Sequence, residues 1–400
     1  VRMEYSFARK MSGVQPSAIR EIMKSSSNKE MIQLSLGNPS PESFPMREIE
    51  GFIKEIMAEN PVEALQYGVT EGYAPLREDF RVLARDRYGS MGDGDDLIVT
   101  AGAQQAIDIA AKLFLNDGDT VIAEGPSFVG ALNAFKANGA TIQQVELLRD
   151  GMDLDLLEQT IKNAKNPKII YTIPTFNNPT GLTSSLETRR CILFLARKYD
   201  LIVVEDNPYG DLRYARLPIP TIKSMDTDGR VIYCGSMSKI LAPGLRVGFM
   251  VANSGIIAKA AIIKQTNDVH TPVLNQMICH KFLNCCDLDA HVKMIREMYK
   301  QKSRIMLAAL EKFSCTTLDW TTPDGGLFIW CTLKDGRDSV EFCKNAMTKK
   351  VAAVPGNTFY GDSCKQQSTF RLNYSGPDGE SIVKGVKILC NIAKKEENDD

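Results

Sequence analysis

"DLIVTAGAQQAIDIAAKLFLNDGDTVIAEG", Asp96–Gly125, places two short apolar runs on either side of a helix-length segment. Apolar residues at consecutive positions mark strands covered on both faces, and a helix between two such strands makes them parallel neighbours in a sheet. The alternation continues through "SFVGALNAFKANG", "KIIYTIP", "LETRRCILFLARKYD", "LIVVED" and "VIYCGSM", to about Met250. This predicts an α/β fold: a mostly parallel sheet with helices on both sides. Beyond Val251 long helical stretches take over, among them "LDAHVKMIREMYKQKSRIMLAALEKF". Weaker strand candidates follow in "GGLFIWCTL", "VAAVPG" and "STFRLNYS", the make-up of a smaller α+β unit.

Composition narrows the function. The 400 residues are 44% hydrophobic, enough for a large core. A net charge of −1 gives no cationic field for nucleic acid or an anionic membrane surface, so small molecules are the expected ligands. The ten cysteines include no C-x-x-C, and Cys285 and Cys286 are adjacent, which favours reduced thiols in a cytoplasm. Neither a signal peptide nor a membrane span is expected. His270, His280 and His291 lack metal-ligand spacing, so no metal is expected, and no G-x-G-x-x-G follows a strand.

Ligands of open α/β sheets bind beyond the carboxyl ends of the strands, so the residues just after each predicted strand matter most. They are Gly102-Ala103-Gln104 at a helix start, Asn178 in "TFNNPTG", Asp206 and Tyr209 in "EDNPYG", and Ser236 and Lys239 in "GSMSK". A lysine in such a crevice, its pKa lowered by burial and cationic neighbours, is a candidate for a Schiff base with an aldehyde. Arg246, Ser236, Ser238 and the N–H groups at Gly102-Ala103-Gln104 offer a charge and donors to a phosphate. Asp206 would keep a pyridine nitrogen protonated, as proteins do for pyridoxal phosphate. Asn178 and Tyr209 would reach the ring's phenolic oxygen, and Phe128 would stack on its face.

The ordered set "NNPTG", "EDNPYG", "SMSKILAPGLRVGF", "PDGGLFIW", "VPGNTFY" and "FRLNYS" resembles the pyridoxal-phosphate-dependent class I/II aminotransferases of fold type I, over nearly the whole chain. "QPSAIREIM", "LGNPSPESFP" and "LQYGVTEGYAPLRE" are similar to the 2-aminoadipate and kynurenine aminotransferase branch, and to the aminotransferase-like half of MocR regulators. A MocR regulator also carries an N-terminal DNA-binding helix-turn-helix, for which this chain has no room.

The resemblance implies a large domain over residues 46–285, with a seven-stranded type of sheet, and a small domain built from 1–45 and 286–400. It implies that Lys239 holds the cofactor and then carries a proton, and that Arg371, helped by Asn178 and the Gly37 backbone, binds the substrate α-carboxylate. Tyr67 would reach the phosphate of the neighbouring subunit's cofactor, in a homodimer with shared sites. Arg20 would meet the distal part of the substrate. The implied reaction passes an amino group from an L-amino acid to a 2-oxo acid, 2-oxoglutarate foremost, by a ping-pong course. A lyase or decarboxylase on the same scaffold and a non-catalytic sensor are the alternatives. The chain departs from its relatives' pattern at Ala103, where serine is frequent, at Phe128, where tyrosine is common, and at Asn38, usually apolar in the 2-aminoadipate branch.

Overall fold

The computed structural model describes residues 5–13, 30–314, 316–361 and 366–394. Its main sheet has the spatial order Asp95–Thr100, Gly248–Asn253, Val231–Ser236, Ile202–Asp206, Pro167–Thr172, Thr120–Gly125, Thr141–Leu148 and Gly151–Met152. Six of these strands run the same way; Gly248–Asn253 and the two-residue strand Gly151–Met152 run against their neighbours. Seven strands of five residues or more therefore make the sheet, with a short hairpin strand added at one edge.

Its two faces are visible residue by residue. Val121, Ala123, Ile169, Tyr171, Val204 and Ile232 enter one core cluster, with Ile107 and Ala110 of the helix Ala103–Phe114. The residues between them, Ile122, Ile170, Val203 and Val231, enter a second cluster with Ile192 and Ala196 of the helix Leu186–Lys198. Both faces are apolar, which is why the strands read as unbroken apolar runs.

Strand order places the functional crevice. From Thr120–Gly125 the chain moves outward to Thr141–Leu148, then returns to Pro167–Thr172 on the other side and proceeds in the opposite direction. Such a reversal leaves a cleft outside the carboxyl ends of the strands that flank it.

A second sheet, antiparallel in the order Leu318–Trp320, Phe328–Leu333, Thr369–Asn373 and Val354–Pro355, sets Arg371 opposite Trp330 and Val354. The 26-residue helix Leu288–Phe313, about 39 Å long, packs on the helix Gly379–Lys394 and starts where the Asp287 carboxylate accepts the Ala290 N–H. Ile32–Gln33 pairs in parallel with Val351–Ala352, joining the two ends of the described chain. Among the described residues no helix is long and apolar enough to cross a membrane.

Candidate active site

A cavity of about 270 Å³ opens at the carboxyl edge of the main sheet. Asp206 is the last residue of Ile202–Asp206 and is buried. The Tyr171 hydroxyl donates to its Oδ2 at 2.8 Å, while Oδ1 is buried with no partner among the described residues. Burial pushes the Asp206 pKa up to about 7, with the Tyr171 hydrogen bond opposing the shift and Glu124 adding to it. Glu124 is itself pushed up to about 7 by burial, against hydrogen bonds from Thr172, the Ile173 N–H and Asn177.

These shifts fix the sign of a pH effect. A carboxyl whose folded pKa is raised stabilises the fold fully below its unfolded value, near 3.8, and loses that contribution as pH rises through about 7. Protein stripped of cofactor should therefore lose several degrees of thermal midpoint between pH 5 and 8, and Asp206→Asn should remove part of that loss, Glu124 sustaining the rest. An identical slope in the variant would place the titration elsewhere.

Lys239 lies in the turn after Val231–Ser236. Its Nζ donates to the Gly37 carbonyl at 2.9 Å and stands 5.8 Å from the centre of the Tyr209 ring. Burial first, then Arg371 and Arg246, lower its pKa to about 8. Tyr209 is buried too, which raises its pKa, and its hydroxyl accepts from Asn178 Nδ2 at 3.4 Å.

One end of the cavity is built to receive an anion. The helix Ala103–Phe114 begins there with no side-chain cap; the Gln105 N–H goes to the Gly102 carbonyl at 3.2 Å, and those of Ala103 and Gln104 are left for an anion. Ser236, Ser238, Gln104 and Arg246 line the same end, the last in a left-handed conformation with Nη2 on the Ala101 carbonyl at 2.8 Å. Gly102 has φ +79, and a Cβ there would stand 2.5 Å from Arg246 Nη2, so only glycine lets the arginine lie across the helix start.

Arg371 closes the other end. Its guanidinium lies 4.4 Å from the Phe328 ring centre and 5.0 Å from that of Phe359. Nη1 donates to Asn178 Oδ1 at 2.8 Å and Nη2 to the Ser35 carbonyl at 2.5 Å, whereas Nε is buried without a partner among the described residues. Burial lowers its pKa to about 10, which leaves it cationic at neutral pH.

Of the residues singled out in the sequence, Gly37, Ala103, Gln104, Phe128, Asn178, Asp206, Tyr209, Ser236, Ser238, Lys239, Arg246 and Arg371 line this one cavity. Gly102 sits behind Arg246. Tyr67 lies outside the cavity, 81% exposed and edge-on to His270, and Arg20 lies outside the described residues. Sequence reasoning missed the apolar lining by Ile107, Ile173, Pro208 and Pro243, and the supports Tyr171, Ser35 and Phe359. A tyrosine on a fully apolar strand was the one available signal, since a buried hydroxyl needs a partner.

A phosphate-sized donor cluster, an unpartnered carboxylate oxygen for a protonated ring nitrogen, and an amine of lowered pKa for an aldehyde fit pyridoxal phosphate. The orphaned Asp206 Oδ1 is the most telling of these, because a buried acceptor of this kind calls for a donor. With the sheet order, this defines a pyridoxal-phosphate-dependent transferase of fold type I.

The profile of the family "Aminotransferase class I and II" matches residues 29–389. The aromatic-amino-acid aminotransferase 1 of Thermococcus litoralis is 41% identical, over 98% of this chain and 95% of that protein. The 2-aminoadipate transaminase of Thermus thermophilus is 35% identical, over 97% and 96% respectively. The kynurenine aminotransferase structure from Pyrococcus horikoshii, in complex with PMP, superposes with a TM-score of 0.93 at 41% identity, covering 98% of each chain. The chain belongs to the class I and II aminotransferases, enzymes that transfer amino groups of amino acids with pyridoxal phosphate as cofactor.

Proposed function

We propose that the chain passes the amino group of an L-amino acid to a 2-oxo acid, 2-oxoglutarate foremost, in two alternating half-reactions. The observation that carries this reading is the pair of orphaned polar atoms in one cavity, an anionic acceptor at Asp206 and a cationic donor at Arg371.

Pyridoxal phosphate supplies an aldehyde that takes up the amino group and a ring that stores the electron pair left when the Cα–H bond breaks. The chain's residues do the rest. Asp206 Oδ1 holds the proton on the ring nitrogen, and Tyr171 keeps the other oxygen occupied so that Oδ1 faces the ligand. Tyr209 and Asn178 serve the phenolic oxygen, and Phe128 covers the ring. The N–H groups at Ala103 and Gln104, the hydroxyls of Ser236 and Ser238, and Arg246 hold the phosphate, with Gly102 making room. Arg371 Nε, beside Asn178, takes the substrate carboxylate. The Gly37 carbonyl is a Lys239 acceptor, so only its N–H is left for that carboxylate. Lys239 would hold the cofactor's aldehyde and, as a free amine, would carry the proton away from Cα; a pKa near 8 leaves a useful share of neutral amine at physiological pH.

Arg246→Ala removes a charged donor from the phosphate end. A hydrogen bond to a charged group is worth about 1.5–3 kcal/mol, so the cofactor's dissociation constant should rise about ten- to a hundredfold, as measured by titrating cofactor-free protein. Unchanged affinity would remove Arg246 from the phosphate site.

We further read residues 46–285 as the large domain and 1–45 with 286–400 as the small one, supported by the pairing of Ile32 with Val351 and the helix beginning at Leu288. Tyr67 projects into solvent beside the exposed Val62, Leu65 and Val69, an apolar patch suited to a second copy of the chain. That supports a homodimer in which Tyr67 reaches the partner's phosphate site. Cys191, Cys234, Cys279, Cys285, Cys286, Cys331 and Cys343 are free, in keeping with a cytoplasmic enzyme.

Initial rates at several fixed donor concentrations test the reaction type. Parallel double-reciprocal lines, and release of 2-oxo acid from a donor without acceptor, are expected. Converging lines, with no oxo acid released in the absence of acceptor, would contradict the alternating half-reactions; ammonia and pyruvate from a cysteine-type donor without acceptor would instead indicate a lyase.

A further inference from the structure

A second cavity, of about 510 Å³, lies behind the candidate active site and shares a wall with it. Along residues 206–211 the chain alternates between the two: Asp206, Pro208 and Tyr209 face the first, Asn207, Gly210 and Asp211 the second. Three arginines and two aspartates line the second cavity, and their partners are unevenly shared. Arg87 is committed, with Nε 2.6 Å from Asp211 Oδ1 and Nη1 2.6 Å from Asp289 Oδ1.

Arg213 is not. Its guanidinium rests 4.6 Å from the Phe176 ring centre and makes no hydrogen bond or ion pair among the described residues. The nearby Asp324 is already engaged by Arg216 at 3.3 Å. Arg296 spends only Nε, on the Asp211 carbonyl at 2.6 Å, and both Nη groups are left over. Asn207 gives Nδ2 to the Tyr233 hydroxyl at 2.9 Å, while its Oδ1 is buried without a partner among the described residues. Two uncommitted guanidiniums thus face this space. Burial disfavours both charges; Asp324 beside Arg213, and Asp211 and Asp289 beside Arg296, offset part of that cost, the neighbouring arginines add to it, and a bound anion would relieve what is left.

We propose that this cavity binds a small dianion, a dicarboxylate or a phosphate ester, gripped by Arg213 and Arg296 back to back with the candidate active site. Planar guanidiniums match the paired oxygens of either group. A ligand held there braces the segment that carries Asp206 and Tyr209, so the site is placed to act on the reaction without touching substrate. The inference rests on this geometry and not on the choice of amino donor.

The test is calorimetric titration of the holoenzyme with inorganic phosphate and, separately, succinate, at ionic strength fixed with chloride. At least one should bind saturably, and the one that binds identifies the source: phosphate for a phosphate ester, succinate for a dicarboxylate. The Arg213→Gln/Arg296→Gln variant should weaken that binding at least tenfold, whereas Arg371→Gln, which removes the active-site anion receptor, should leave it in place. Arg213 packs on Phe176, so Arg296→Gln alone guards against a folding defect and should weaken binding about tenfold. No saturable binding of either anion, binding lost in Arg371→Gln, or equal affinity in Arg296→Gln would overturn the proposal.

Discussion

Replacing Lys239 with alanine should reduce kcat by about four orders of magnitude, the upper range for removing a positioned general base. Nζ is held at 2.9 Å by the Gly37 carbonyl inside the cavity that also contains Asp206 and Arg371. Among the described residues no other amine lines that cavity, so none of them can take over the proton. The electrostatics agree: burial, and then Arg371 and Arg246, lower the amine's pKa to about 8, where it exchanges protons near neutrality. The variant should keep its fold, because Lys239 makes one hydrogen bond and no ion pair among the described residues. Single-turnover release of 2-oxo acid, with circular dichroism as the folding control, decides the matter. A rate within tenfold of the native enzyme would assign the proton transfer elsewhere.

Arg371→Gln should lower kcat/KM by about 10²- to 10³-fold, with most of the loss in KM. Removing one partner from a buried charge pair costs about 3–5 kcal/mol, and here the partner is the incoming carboxylate. Because every amino donor carries the α-carboxylate, the loss should be similar for dicarboxylic, aromatic and aliphatic donors. Arg371→Lys should recover little, since an ammonium cannot replace a planar fork whose Nη groups are fixed on Asn178 and Ser35. A loss confined to dicarboxylic donors would mean that Arg371 reads the side chain instead.

Much of this site was legible in the chain because fold type I places chemistry at strand ends. Asp206, Asn178, Ser236 and Lys239 each follow an apolar run that becomes a strand of the main sheet, so locating the strands located the residues. What stayed hidden depends on side chains meeting across the fold. Tyr171 and Asp206 lie 35 residues apart and are joined only by strand pairing. Ser35 and Arg371 are 336 apart, and a backbone carbonyl that accepts a guanidinium leaves no trace in residue identity. Apolar lining such as Ile107 and Ile173 reads the same in a sequence whether it faces a ligand or the core. The short strand Gly151–Met152 was likewise invisible, two residues being too few to carry a pattern.

One cavity should bind pyridoxal phosphate and use it for transamination. The most direct measurement is the visible absorption of the purified protein before and after glutamate, and then other amino acids, are added without any 2-oxo acceptor. A cofactor band that shifts with particular donors, with release of about one 2-oxo acid per subunit as a ping-pong course requires, is the expected result. A band that no donor moves, or no band even after pyridoxal phosphate is supplied, would contradict it.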